Sequence, residues 1–191
     1  LSPPSAASDV YKRQWSFLSA IAARTPYFLY RRQFRAGSCR PLTFSVRRFI
    51  MTSFSELGIG KNLCEAAARM GWTEPTPIQA AAIPVGITGR DVLAQAQTGT
   101  GKTGAFAFTV LARTRPGPGV PTVLVLSPTR ELADQVSHEM YALSKETRHR
   151  VVAIYGGAPY SDQMRRLSAG CDIVVGTPGR VIDMCEREVL D

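Results

Sequence analysis

Thirteen residues, Ala94 to Phe106, read AQAQTGTGKTGAF and bring three glycines and a Gly-Lys-Thr triplet together. Glycines at 99 and 101 let a backbone turn tightly enough for successive N–H groups to converge on an anion beside a positive helix end. Lys102 supplies the charge to neutralise β and γ phosphates, and the Thr103 hydroxyl is the group that would hold Mg²⁺. An apolar run, DVLAQA over 91–96, precedes the loop, and a helical stretch follows from about Lys102. Strand, glycine loop and helix in that order are the placement of a phosphate-binding P-loop. Candidate nucleotide-binding residues are therefore Ala96, Gln97, Thr98, Gly99, Thr100, Gly101, Lys102 and Thr103, with Ala96 standing where the general pattern has Gly.

Elements able to position that loop recur along the chain. The pattern predicts one helix from Asn62 to Met70, ending at Gly71, and another from Pro77 to Ile83, with Thr76 as N-cap and Pro84 as its stop. Four apolar runs, at 91–96, 122–127, 150–155 and 171–177, each precede a helical stretch. Runs this apolar, separated by helices, suit central strands of a parallel sheet covered on both faces. In the helix after the second run, Leu132, Val136, Met140 and Leu143 form one expected buried stripe, and His138 falls off it as a solvated side chain. The expected fold class is α/β, a three-layer arrangement around an open, mainly parallel sheet. RPGPGVP, 115–121, reads as a surface loop.

Composition narrows the function classes. No apolar run approaches the roughly 18 residues of a membrane span, so no membrane role is expected. The four cysteines, Cys39, Cys64, Cys171 and Cys185, show neither Cys-x-x-Cys pairing nor histidines at ligand spacing, and read as reduced thiols of an intracellular protein. The net charge of +8 lies entirely in residues 1–50, which hold nine Lys and Arg against the single acid Asp9. From 51 to 191 the chain is neutral, so a nucleic-acid partner has to be argued from local sites. Residues 1–50 read either as an Arg-rich mitochondrial transit peptide or as sequence foreign to the protein, since the first methionine is Met51. Location follows that choice: mitochondrial in the first case, cytoplasmic or nuclear in the second. Beyond this basic segment, 51–82 and 83–191 divide into a region preceding the loop and the domain that carries it.

Three segments, SPTRELADQ, YGGAP and GTPGRVID, each sit just after an expected strand at the start of the next helix. That places them on the carboxyl edge of the sheet, where open α/β folds bind ligands and where helix N-termini offer free N–H groups to anions. Singly, each is an ordinary turn or capping sequence. Together with FSELG, GWTEPTPIQ and AQTGTGKT, in this order, they resemble the N-terminal RecA-like domain of DEAD-box ATP-dependent RNA helicases, from about Phe54 to Asp191.

The resemblance implies an ATP-dependent RNA helicase with ATP and Mg²⁺ as cofactors and Lys102 and Thr103 as the catalytic loop residues. It makes Gln79 the adenine reader, a role a carboxamide can fill by pairing with N7 and the N6 amino group. Phe54 falls where the family keeps an aromatic that stacks on the base, although a core position is open to it as well. Trp72, where the family more usually has phenylalanine, reads as a hydrophobe packed at the helix end. By resemblance Pro128, Thr129 and Arg130, then Gly156 and Gly157, then Thr177, Pro178, Gly179 and Arg180 grip the RNA sugar-phosphate backbone, which carries little sequence preference. Arg165 and Arg166 read as solvated charge.

No Asp-Glu-Ala-Asp tetrad occurs in the 191 residues. The carboxylates that position Mg²⁺ and water, and the second RecA-like domain, are therefore missing from the expectation, and this chain alone is expected to bind nucleotide weakly without turning it over. Two alternatives stay open, a DNA helicase with the same loop and an RNA-binding module without ATPase activity.

Overall fold

The computed structural model of the protein describes residues 53–117 and 119–190; the reading of residues 1–50 lies outside them. A single 3₁₀ turn, Phe54–Leu57, ends at Gly58, whose φ of 79° needs a residue without Cβ. Helix α1, Lys61–Arg69, and helix α2, Pro77–Ile87, follow. Then come α3, Lys102–Arg113; β1, Val123–Leu126; α4, Arg130–Ser144; β2, Val151–Ile154; α5, Tyr160–Ser168; β3, Ile173–Gly176; and α6, Pro178–Glu186.

The strands form one parallel sheet in the order β1-β3-β2. Leu126 and Ile154 both pair with Gly176, so all three strands end level with one another. Every residue of the central strand β3 is buried, as a strand covered on both faces requires. Ile173 and Val175 pack into one cluster with Phe108, Leu111, Val136, Met140 and Leu143 beneath α1, α3 and α4. Val174 points the opposite way, into a second cluster with Ile154, Val181 and Met184 under α5 and α6. Two helical layers thus enclose the sheet, the expected three-layer α/β arrangement. Among the described residues no helix is long and apolar enough to cross a membrane.

Three local expectations are corrected. The run 91–96 is not a strand: its residues lie outside any ladder, and Leu93 is 94% exposed. Apolar composition suits a strand, but a strand exists only through a ladder partner, and no described strand lies beside it. Pro84 does not end α2, which runs on to Ile87. Proline removes one donor but not the following turn, and here Gly86 lets that turn lie so close to α3 that an added Cβ would meet Thr109 Cγ2 at 2.5 Å. Leu132 does not join the buried stripe; Ala133 takes its place beside Val136, Met140 and Leu143. The stripe begins one residue later because Leu132, in the first turn, faces the open trough beside the start of α3 instead of the core.

Candidate functional site

The P-loop is built by two left-handed glycines, Gly99 at φ 79° and Gly101 at φ 87°, the second serving as N-cap of α3. An L side chain would be strained at both, and the turn they permit aims the loop into the free N–H groups of the first α3 turn. Thr100 Oγ1 donates to the Gln97 carbonyl at 2.7 Å, and Lys102 Nζ reaches back across the loop to donate to the Ala96 carbonyl at 2.6 Å. The ammonium is thereby held at the loop's mouth. Lys102 and Thr103 share an apolar trough of about 440 Å³ with Ile78, Val125, Ser127 and Pro128. This trough brings the loop to the same rim as the residues following β1.

Gln79 is 2% exposed and ties two segments together. Its Oε1 accepts from the Thr76 N–H at 2.9 Å, half of a capping box for α2, and its Nε2 donates to the Gly101 carbonyl at 3.2 Å. The residue expected to read adenine therefore also braces the phosphate loop. Phe54 is 5% exposed, with its ring centroid 5.1 Å from that of Phe108, so of the two roles left open for it the structure displays the packing one. Trp72 meets Phe108 edge-on at 5.9 Å and lies against Gly104, as a packed hydrophobe.

Level strand ends put the remaining segments on one edge. Ser127, Pro128 and Thr129 leave β1, Tyr155, Gly156 and Gly157 leave β2, and Thr177 leaves β3 directly into Pro178 and Gly179 of α6. Thr129 Oγ1 caps α4 by accepting from the Leu132 N–H at 3.2 Å. Beside it, the Glu131 carboxyl is held below its ordinary value by hydrogen bonds from its own N–H and from Thr129. Arg130 lies across Gly156 and Gly157: an added Cβ on Gly156 would stand 3.2 Å from its Nη2. Arg180, in the first turn of α6, rests over the ring of Tyr160 at 5.5 Å from the centroid. Neither guanidinium has a hydrogen bond or an ion pair among the described residues, whereas those of Arg165 and Arg187 pair with Asp162 and Asp183. Unpaired guanidiniums beside helix N-termini suit an anionic backbone.

Residues that the sequence reading did not single out also shape this edge. Gln163, 4% exposed, accepts from the Tyr155 N–H at 3.1 Å and donates to the carbonyls of Tyr155 and Ala158 at 3.0 and 3.3 Å. It clips the glycine turn shut. Tyr155 donates its hydroxyl to Asp134 Oδ1 at 2.9 Å, and that bond holds the phenol above its ordinary pKa. The only available signal was a polar side chain one turn into α5, and polarity there reads as surface. Arg165 and Arg166 are exposed, as expected, and His138 is solvated with its Nδ1 2.8 Å from the Asp134 carbonyl.

Known proteins resemble this chain in sequence and fold. Residues 76–191 match the family model described as DEAD/DEAH box helicase. The ATP-dependent RNA helicase CshA of Listeria monocytogenes is 46% identical over 140 residues, 73% of this chain and 27% of that protein. ATP-dependent RNA helicase DeaD of Escherichia coli is 49% identical over 141 residues, 73% of this chain and 22% of its own. Among solved structures, a DEAD box protein from Methanococcus jannaschii superposes with a TM-score of 0.68 at 36% identity, over 73% of this chain and 38% of that one. Dbp5 of S. cerevisiae, bound to RNA and ADP BeF3, gives 0.66 at 32% identity over 73% and 35%. The chain spans about a quarter of the length of these curated relatives. With the P-loop and three strand-end turns gathered on one rim, and a family model covering more than half of its residues, this chain belongs to the DEAD/DEAH box helicase family.

Proposed function

We propose that this chain supplies the ATP-binding and RNA-backbone-binding edge of an ATP-dependent RNA helicase. One observation carries the reading: Lys102 of the P-loop and Pro128 of the first strand-end turn line the same trough. Level strand ends then continue the rim from Arg130 to Gly157 and Arg180. A triphosphate and a polyanion bound side by side on one rim can be coupled by small movements of shared turns.

The residues present fit Mg²⁺-bound ATP. Gly99 and Gly101 open a concave turn, the α3 N-terminus adds free amides, and Lys102 adds charge. Thr103, lining the same trough, is the residue that would hold Mg²⁺. Bound ATP would supply the phosphoryl group whose transfer drives the cycle. On the protein side, Lys102 stabilises charge on the phosphates, and Gln79 exchanges its bonds to Thr76 and Gly101 for contacts to the base. Arg130 and Arg180 hold phosphates of a single RNA strand, with few base contacts and hence little sequence preference.

The test is binding of a fluorescent ATP analogue to the 191-residue chain with Mg²⁺, alongside anisotropy with a labelled single-stranded RNA and its DNA counterpart. Expected are displacement by ATP but not by GTP, loss of nucleotide binding in Lys102→Ala with RNA binding retained, and preference for RNA. Equal displacement by GTP, or nucleotide binding indifferent to Lys102, overturns the ATP assignment. Equal affinity for DNA favours the DNA helicase instead.

A further inference from the structure

Tyr160 opens α5 four residues after Gly156, and its ring meets two arginines, Arg180 in the first turn of α6 and Arg187, the residue that caps the end of that helix. Arg180 Cζ lies 5.5 Å from the ring centroid and Arg187 Cζ lies 5.3 Å from it. The two guanidiniums are otherwise treated differently. Arg187 Nε donates to Asp183 Oδ1 at 2.7 Å, while the Arg180 guanidinium has neither hydrogen bond nor ion pair among the described residues. Its Nη1 is enclosed, as is the Tyr160 hydroxyl, and neither atom has a hydrogen-bond partner among the described residues.

The spacing explains why this division matters. Asp183 stands three residues after Arg180 and four before Arg187, so both arginines are within helical reach of one carboxylate. Were Arg180 to take it, the first turn of α6 would carry a neutral pair in place of a free cation. Arg187 takes it instead. Both guanidiniums share the Tyr160 ring, but Arg187 has Asp183 besides, whereas for Arg180 the ring is the seat, an aromatic face that attracts a cation without neutralising its charge. The ring packs against the cluster containing Val181 and Met184, so the seat is itself anchored. A long side chain with its guanidinium already placed loses less freedom when it meets a phosphate.

We propose that Tyr160 is a positioning residue for Arg180 on the RNA-binding rim, seating its guanidinium while Arg187 occupies Asp183, the carboxylate that would otherwise neutralise it. The inference rests on the reading of Arg180 as a phosphate contact, and it joins the turn after β2 to the turn after β3 through one side chain.

Anisotropy with a labelled oligouridylate and the 191-residue chain, repeated across a salt series, tests it, with binding of the fluorescent ATP analogue reporting the fold. Arg180→Ala is expected to weaken RNA binding about tenfold and to flatten the salt dependence by roughly the 0.7 slope unit of one single-strand phosphate. Tyr160→Leu is expected to do the same, and the double variant to be no weaker than either single one. Tyr160→Phe and Tyr160→Trp, which keep a ring, retain wild-type affinity and slope. Arg187→Ala weakens binding by releasing Asp183, and adding Asp183→Asn restores it. Additive losses in the double variant, or a Tyr160→Phe as weak as Tyr160→Leu, overturn the proposal while leaving Arg180 as an RNA contact. RNA binding untouched by Arg180→Ala overturns both.

Discussion

The guanidinium of Arg130 occupies the space that a side chain on Gly157 would need. Two turns that leave different strands are thereby fitted to one another, and Gly157 is doubly constrained, because its φ of 86° is left-handed as well. Gly157→Ala is expected to cost about 1–3 kcal/mol of stability from backbone strain alone and to displace Arg130 from the rim. Gly156, whose φ is ordinary, should tolerate alanine far better. Denaturant midpoints and RNA anisotropy on both variants check this. RNA affinity should fall in Gly157→Ala with nucleotide affinity kept, and equal behaviour of the two variants would contradict the fit.

Gln79 lies between two demands, the bracing of Thr76 and Gly101 and the base reading proposed for it. Gln79→Ala strands a buried carbonyl and an N–H, so it should destabilise the chain by about 1–3 kcal/mol as well as reduce ATP binding. Gln79→Glu keeps the acceptor for the Thr76 N–H but sets a carboxylate oxygen against the Gly101 carbonyl. It should therefore lose stability through that repulsion at least as much as Gln79→Ala, and lose ATP binding along with the donor that would serve N7 of the base. Thermal unfolding without nucleotide and titration with the ATP analogue separate the two effects. A Gln79→Ala chain as stable as wild type would show that the brace carries no weight.

How much of this could be seen in the sequence follows from how local each cause is. Gly99, Gly101 and the start of α3 at Lys102 were legible because left-handed turns and helix starts are set by a few adjacent residues. The order of the strand-end turns was legible too, since apolar runs followed by helices force a parallel sheet whose carboxyl ends share an edge. Illegible were features decided by distant partners. Whether 91–96 forms a strand depends on what pairs with it, and α2 continues past Pro84 because Gly86 fits Thr109 on another helix. Gln163 and Tyr160 escaped notice for the same reason: a glutamine or tyrosine near a helix start reads as surface until the loop beside it is placed.

At the opposite end of the strands, Asp172 and His149 are two buried titratable groups within electrostatic reach of each other, and they should set the acid limit of stability. Burial pushes the Asp172 carboxyl up, but N–H groups of Arg150 and Gly117 at 2.8 and 2.7 Å and the Arg150 charge outweigh it, and the carboxyl is held below its ordinary value. Burial likewise lowers His149, against the pull of Asp172, and keeps the ring neutral. Both groups have depressed values in the fold, so both contribute stability above their ordinary pKa and lose it as pH falls. His149, with a reference value of 6.5, acts first, and Asp172, with 3.8, acts last. Denaturant midpoints measured from pH 8 to pH 3 should decline below about 6.5. His149→Asn should flatten the upper part of that decline and Asp172→Asn the lower part, at a cost to Asp172→Asn of about 1–3 kcal/mol at neutral pH for a stranded backbone donor. A decline at pH 6 that persists unchanged in His149→Asn would assign it to other groups.

Gln163 offers the sharpest separation of shape from charge on the rim. It has no charge and does not line the P-loop trough, yet its carboxamide makes three bonds to the backbone of Tyr155 and Ala158. Gln163→Leu preserves volume and removes all three. Stranding the Tyr155 N–H should cost about 1–3 kcal/mol, and the turn bearing Gly156 and Gly157 should then open more often than the rest of the sheet. Hydrogen exchange should report faster amides from Tyr155 to Ala158 and unchanged ones in β3, while RNA affinity falls several-fold and ATP affinity stays. Because the substitution alters no charge, the salt dependence of RNA binding should keep its slope, unlike that of Arg130→Ala or Arg180→Ala. A changed slope in Gln163→Leu would mean that a phosphate contact had gone with the turn, and that Arg130 holds its place on the rim only while Gln163 holds Gly157.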